Sequence, residues 1–336
     1  MKNSDRRNRF TQRFDPVAPK IFNLPLGGKI LQGNVILTGQ IVVSGGTTSG
    51  TVVGEGGPER LIRRIKVIAI PAQNSRYPGG NIVDCSPRSL LRYAIAQHSG
   101  KFIGAIAGDG LGNGAAGTYN VYLSIPIYWA DANLRRQVQT ALNADPTAYQ
   151  TIQVEVDTGT LSDCFAGNDR VVDWSGLQVQ WADERENFSG DTFVRYQEDH
   201  TFYIQQANTR TLDNAMPQDG AFESLYYLAE QGASLTLADT ILNRVSISGT
   251  TIDFDLYAHD IRQQMFDDEW FDPSQTAAGQ YYIDFTDGLV GGSVPAGGLQ
   301  IQLDLNNPSG AGLDDLLVYT RRLFSPANFT PPSVAK

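Results

Sequence analysis

Gly176-Leu177-Gln178-Val179-Gln180-Trp181 alternates apolar and polar side chains without a break. Successive side chains of an extended strand point to opposite faces, so the pattern marks a strand with one face in a core and the other toward water. Ile152-Gln153-Val154-Glu155-Val156 alternates in the same way. Farther along, Gly298-Leu299-Gln300-Ile301-Gln302-Leu303 echoes Gly176 to Trp181. Other stretches are β-branched: Val35-Ile36-Leu37 and Ile41-Val42-Val43, separated by Thr38-Gly39-Gln40, and the run from Leu61 to Ile70. These, with Tyr119 to Trp129, predict further strands. The 34 glycines and 16 prolines are spread along the chain as turn punctuation, which favours many short strands over long helices.

Two helices interrupt the strand pattern in the first half. Ser86 is placed to cap a helix with Pro87 in its first turn, Leu90, Leu91, Ala94 and Ile95 on its apolar face and Gly100 beyond its end. A second is predicted from Asp131 to Asn143, with Leu134, Val138, Ala141 and Leu142 on one face and Asp145-Pro146 as the stop.

The second half repeats this order. Ser224 to Gln231 echoes Leu90 to Gln97, and Leu256 to Gln264 echoes Tyr128 to Gln137. With the strand echo at 176 and 298, the shared order predicts two copies of one β-rich unit. Each copy has room for about eight strands, so the expected fold class is all-β, two tandem eight-stranded jelly-roll sandwiches with short helical insertions. The expected boundaries are 1–20 for a basic N-terminal arm, 21–198 and 199–324 for the two jelly rolls, and 325–336 for an extended C-terminal tail.

At 336 residues the chain is long enough for two cores, and its 41% apolar residues mark it as globular. No apolar stretch approaches the roughly 20 residues of a membrane-spanning helix. Residues 1–20 lack the apolar segment of a secretory signal. Cys85 and Cys164 form neither a disulfide framework nor a zinc set, and a reducing compartment is expected. Residues 1–20 hold Lys2, Arg6, Arg7, Arg9, Arg13 and Lys20 against Asp5 and Asp15, a net +4. The whole chain is −10, which leaves −14 for the remainder. A basic arm on an acidic body should attract nucleic acid or anionic lipid while the body repels both. Phe10 and Phe14 stand at helical spacing within the arm, though a solvated tail is the ordinary state of a terminus.

Motifs for chemistry are sparse. His98, His200 and His259 have no neighbour at metal-ligand spacing, so helix-end or surface histidines are expected. Gly108-Asp109-Gly110-Leu111-Gly112-Asn113-Gly114 lacks the Lys-Ser/Thr of a phosphate loop and leads into a strand, which makes it a surface loop. Asp267-Asp268-Glu269 with Asp272, and Asp253 with Asp255, depart from calcium-loop spacing and suit a solvated acidic edge. Of Trp129, Trp174, Trp181 and Trp270, the strand positions of Trp129 and Trp181 predict core. No catalytic, cofactor-binding or metal-binding residue is assigned.

The duplicated segments Tyr119–Val156 and Thr251–Phe285, the run from Tyr257-Ala258-His259-Asp260 to Gly298–Leu303, and the basic arm resemble the double jelly-roll major capsid proteins of tailless icosahedral viruses, bacteriophages among them. The resemblance implies a non-enzymatic coat protein without cofactors, located in the virion shell and made in the host cytoplasm. It implies homotrimers in which six jelly rolls form a pseudo-hexagonal capsomer contacting neighbouring capsomers. Loops at one end, here Gly104–Gly117, Phe266–Gly279 and Thr286–Gly298, would form towers. Lys2, Arg6, Arg7, Arg9 and Arg13 would face an internal lipid membrane or the genome without sequence-specific binding, and minor or vertex proteins would be further partners. The alternatives are a β-sandwich carbohydrate-binding or adhesin module, which leaves the arm unexplained, and a sandwich glycosidase, for which no motif speaks.

Overall fold

The computed structural model describes residues 6–47, 51–52, 57–97, 107–108, 115–130, 137–187, 189–206, 210–232, 236–249, 252–267, 278–285, 294–310 and 314–326. The chain divides into two compact units. Unit 1 is Met1–Leu91, Gly104–Tyr196 and Phe324–Lys336; unit 2 is Arg92–Ile103 and Gln197–Leu323.

In unit 1 the described residues include, beside a few shorter strands, eight main strands that make two antiparallel sheets. They are β1 (Arg6–Arg13), β2 (Lys20–Leu24), β3 (Lys29–Ser44), β4 (Ile62–Pro71), β5 (Gly80–Cys85), β6 (Gly117–Tyr128), β7 (Tyr149–Thr158) and β8 (Leu177–Glu186). One sheet has the order β1-β8-β3-β6 and the other β2-β7-β4-β5. Strands that follow one another thus alternate between sheets except for β4 and β5, which pair as neighbours in one sheet, the winding of a jelly roll. Unit 2 holds most of β9 (Val194–Ile204), whose first three residues fall in unit 1, then β10 (Arg210–Leu212), β11 (Ala221–Gln231), β12 (Leu242–Ser248), β13 (Asp253–Tyr257), β14 (Gln280–Asp284), β15 (Gln300–Leu305) and β16 (Asp314–Phe324, its last residue in unit 1). Its sheets run β9-β16-β11-β14 and β10-β15-β12-β13. Adding eight to each label of unit 1 gives unit 2. A helix follows the fifth strand in both, α1 (Pro87–Gln97) after β5 and α2 (Ala258–Asp267) after β13. The Ser89 N–H donates to the Ser86 hydroxyl at 3.3 Å, so Ser86 caps α1 as its sequence predicts.

The duplication holds, but the echoing segments are not its partners. Ser224–Gln231 is strand β11, not a counterpart of α1. Residues 298–303 run into β15, the seventh strand of unit 2, whereas Leu177–Trp181 opens β8, the eighth of unit 1. Alternating strands resemble one another whichever position they hold, so the match carried no register. The helix expected from Asp131 to Asn143 is, where described, a 3-10 turn at Gln137–Thr140 and a short strand at Leu142–Asn143 paired with β3. The runs on either side of Thr38-Gly39-Gln40 form one strand, β3. Gly39 permits this with φ at 135°, where a Cβ would lie 2.1 Å from the Gly176 carbonyl oxygen. Most of the three proposed tower loops, and the tail beyond Pro326, lie outside the described residues.

Trp129 and Trp181 are fully buried in unit 1, as their strand positions predict, with ring centroids 6.5 Å apart. Gly33 makes the space, because a Cβ there would stand 2.1 Å from the Trp181 ring. The Trp181 indole N–H donates to Asp183 Oδ2 at 3.0 Å. Arg185 donates to both oxygens of the same carboxylate at 2.9 Å, and also to the carbonyls of Pro25 at 2.6 Å and Gly27 at 3.0 Å. This charge pair is buried, so its hydrogen bonds are what make its burial tolerable.

In unit 2, β11 and β16 are buried on both faces. Tyr226 stands opposite Tyr282 on one side and Tyr319 on the other. Tyr93, from the part of α1 that belongs to this unit, packs against all three, at 6.1, 5.8 and 5.1 Å between centroids. The phenols find partners: Tyr226 donates to Gln280 Oε1 at 2.5 Å and Tyr319 to Gln197 Oε1 at 2.8 Å.

Candidate functional site

The basic segment is the first place to look, and it is not a loose arm. Arg6–Arg13 is strand β1, hydrogen-bonded along its whole length to β8. Arg6 stands opposite Arg185, Arg7 opposite Glu184, Arg9 opposite Ala182 and Arg13 opposite Gln178. Phe10 faces Trp181 across the ladder, and Phe14 is buried, 4.9 Å from the Trp174 ring. The two phenylalanines anchor a strand edge rather than a helical turn, and the near-alternation of Arg9-Phe10-Thr11-Gln12-Arg13-Phe14 was the signal for it. Charge masked the strand pattern. Lys2 lies outside the described residues.

Because Trp181 faces the core, the outward register positions of the described side chains of β1 are Arg9, Thr11 and Arg13. Arg9 and Arg13 are exposed, and Arg13 lies near Asp15 and Asp173. The outward rows continue across the sheet as Gln178, Thr38 and Tyr122, and as Gln180, Ile36 and Ser124. Beyond β8 this face mixes amides and hydroxyls with the aliphatic Ile36 and Val42, and the Gln40 amide donates to Asn120 Oδ1 at 3.3 Å. The other sheet of unit 1 differs. Its outward face carries paired charges, Arg64 with Asp84 at 2.5 Å and Lys66 with Glu155 at 3.8 Å.

In unit 2 the outward face of the sheet β10-β15-β12-β13 mixes amides and hydroxyls with charges, Arg244 and Asp304 among them. One outward row is Leu212, Gln302, Ser246 and Asp255, and the next is Gln300, Ser248 and Asp253. Asp253 and Asp255 are exposed on β13, the edge strand. Asp255 accepts from Arg244 and from the Ser246 hydroxyl. Asp304 and Arg244 share a third row with Tyr257.

Chemistry of other kinds finds little support. Among the described residues no three His, Cys, Asp or Glu side chains are grouped to hold a metal ion, and no helix is long and apolar enough to cross a membrane. His200 Nε2 lies 3.0 and 2.9 Å from the two oxygens of the buried Asp213, a pair that ties β9 to the turn after β10. His259 is exposed beside Asp260 and stacks on Tyr257. His98 and Trp270 lie outside the described residues, as does the glycine loop except for Ala107–Gly108, which pairs with β6. Cys85 and Cys164 are free and buried, and burial pushes the Cys164 thiol up. The Arg262 guanidinium holds Asp239 below the usual carboxylate range, and burial pushes the Tyr281 phenol up to about 12.

No protein-family model and no curated protein sequence matches the chain. Solved structures do. The STIV major capsid protein aligns with a TM-score of 0.65 at 12% identity, covering 94% of this chain and 96% of that one. The major capsid protein of bacteriophage PM2 aligns with a TM-score of 0.53 at 13% identity, covering 96% and 100%. The Faustovirus major capsid protein gives 0.59 at 9% identity, covering 99% and 92%. These are double jelly-roll capsid proteins, and this chain shares their fold over nearly its whole length.

Proposed function

We propose that the chain is a major capsid protein, a structural subunit without catalytic activity that assembles with copies of itself into a viral shell. One observation carries the reading: both eight-stranded sandwiches, in the same strand order and with the same helix after the fifth strand, align with capsid proteins over nearly the full length of both chains. Two fused sandwiches supply broad sheet faces, and those faces are what a closed ring of subunits uses. The finer reading is a trimeric, pseudo-hexagonal capsomer in an icosahedral virion, with towers at one end. Contact with an internal membrane or genome is proposed for the basic N-terminal segment, Lys2, Arg6, Arg7, Arg9 and Arg13. Minor and vertex proteins are its further proposed partners.

Light scattering on the purified chain tests this. The monomer is 36.7 kDa, so a trimer has a mass of about 110 kDa. A stable species of that mass, and shells or hexagonal arrays on electron microscopy grids, is the expected result. A monomer at all concentrations overturns it.

A further inference from the structure

We propose that unit 1 makes its own covalent cross-link, an amide bond between the Lys29 side-chain nitrogen and the Asn143 side-chain carbonyl carbon, formed with release of ammonia. The reaction lies inside one sandwich, so it stands or falls apart from the capsid reading.

Three observations carry it. First, Lys29 opens β3 directly opposite Asn143 in the short strand Leu142–Asn143. Residues so placed share a face of the sheet, with Cβ atoms about 4.5–5.5 Å apart, well within reach of a lysine stem. The pairing continues past them, the Ala144 N–H donating to the Gly28 carbonyl at 3.0 Å. On its other side Lys29 stands opposite Glu186, which is exposed. Second, both side chains are buried, Lys29 at 7% exposure and Asn143 at 8%. Lysine is rarely buried, and an amine removed from water loses its proton more readily, which frees the lone pair of a nucleophile. Burial pulls the Lys29 ammonium below its ordinary value, against the opposing pull of Asp145 and Asp191. Third, both ends of the Asn143 amide are held. Its Oδ1 accepts the Asp145 N–H at 3.3 Å, a donor placed where negative charge grows when the carbonyl is attacked. The Asn143 side chain also bonds the Tyr77 hydroxyl. That hydroxyl donates to Asp191 Oδ1 at 3.1 Å, so the amide N–H is the donor to the phenol oxygen. Asp191 is itself buried and fixed by Arg76 at 2.5 Å.

The chemistry balances without any further reactant. The neutral Lys29 Nζ attacks Asn143 Cγ, the Nζ–Cγ bond forms, and the Cγ–Nδ2 bond breaks. One amine proton passes to Asp191 and, through the Tyr77 hydroxyl, to Nδ2, which leaves as ammonia. Fixed proximity in a site without water favours amide exchange over hydrolysis. The product ties the start of β3 to a strand far along the chain, which restricts the unfolded chain as a disulfide does.

The test is the intact mass of the full native chain, read by electrospray after denaturation. The expected mass falls short of the sequence mass by one ammonia, and a tryptic digest should hold one branched peptide that joins the Lys29 segment to the Asn143 segment. Lys29→Arg and Asn143→Ala should each return the full sequence mass, with circular dichroism melts to show that they fold. Asp191→Asn should leave most of the chain unlinked while the fold is kept, an effect on the reaction that a purely structural carboxylate would not have. The native mass decides even where a variant fails to fold. A native chain of full sequence mass overturns the inference. So does an ammonia loss confined to one linear peptide, such as ring closure at Asn113-Gly114, or a water loss that joins Lys29 to Asp145 or Asp191. Any of these results leaves the capsid reading untouched.

Discussion

The guanidinium carbon of Arg321 lies 4.9 Å from the centroid of the Tyr93 ring, and the same guanidinium donates to the Tyr93 hydroxyl. A single side chain from α1 thereby covers a buried cation and fills the space among three tyrosines of the β9-β16-β11-β14 sheet. Tyr93→Ala should cost about 3–5 kcal/mol, because it opens a large cavity and strips a partner from Arg321. Tyr93→Phe keeps the rings and removes only the hydroxyl, so about 1–3 kcal/mol is expected. Urea unfolding of the two variants beside the native chain measures the difference.

Asp183→Asn should destabilise unit 1 by about 3–5 kcal/mol. It removes the charge that Arg185 meets with two hydrogen bonds at 2.9 Å, and Arg185 remains buried. The Trp181 indole also loses its carboxylate partner, so the tryptophan emission of the folded variant should shift while the exposed edges stay unchanged.

Gly33→Ala tests the packing of the same tryptophan. A methyl group at that position overlaps the Trp181 ring at 2.1 Å, and the ring has no exposed surface into which to move. Overpacking of this kind costs about 1–3 kcal/mol. A thermal melt indistinguishable from the native one would show that β3 and β8 separate more easily than their continuous ladder implies.

Alkaline titration should reveal unit 2 as a unit. Burial pushes the Tyr281 phenol from its ordinary value of 10 up to about 12, and pushes Tyr282 and Tyr227 well above 10. The folded state thus favours the neutral phenol. Its stabilisation is fully present below pH 10 and is lost as pH rises from 10 through about 12. Tyrosinate absorbance from this buried set should therefore appear in a cooperative step together with loss of the sheet signal. Gradual appearance of all tyrosinates with the sheet intact would contradict the packing described.

Much of this architecture was legible in the sequence. Alternation placed β7 and β8, the Ser86-Pro87 cap placed α1, and Trp129 and Trp181 were assigned to the core on strand position alone. Two things hid the rest. Equivalent strands do not recur at a fixed period: 188 residues separate Arg6 from Val194 but only 137 separate Leu177 from Asp314. The connections of unit 2 are shorter, so a search for echoes at similar offsets joins β8 to β15 instead of β16. The second obstacle was charge. In Arg9-Phe10-Thr11-Gln12-Arg13 the outward row is arginine-rich because β1 is an edge, and arginine on an edge strand resembles arginine in a tail.

The winding order has a consequence for how the protein comes into being. β1 leaves the ribosome well over a hundred residues before its ladder partner, which does not begin until Leu177. Likewise β9 precedes its neighbour β16 by almost the whole of unit 2. Each sandwich is closed by its last strand gripping its first, so the nascent chain carries an open edge throughout synthesis of the unit. On β1 that waiting edge is studded with arginine, whose mutual repulsion keeps two unfinished chains from pairing strand to strand before either is complete.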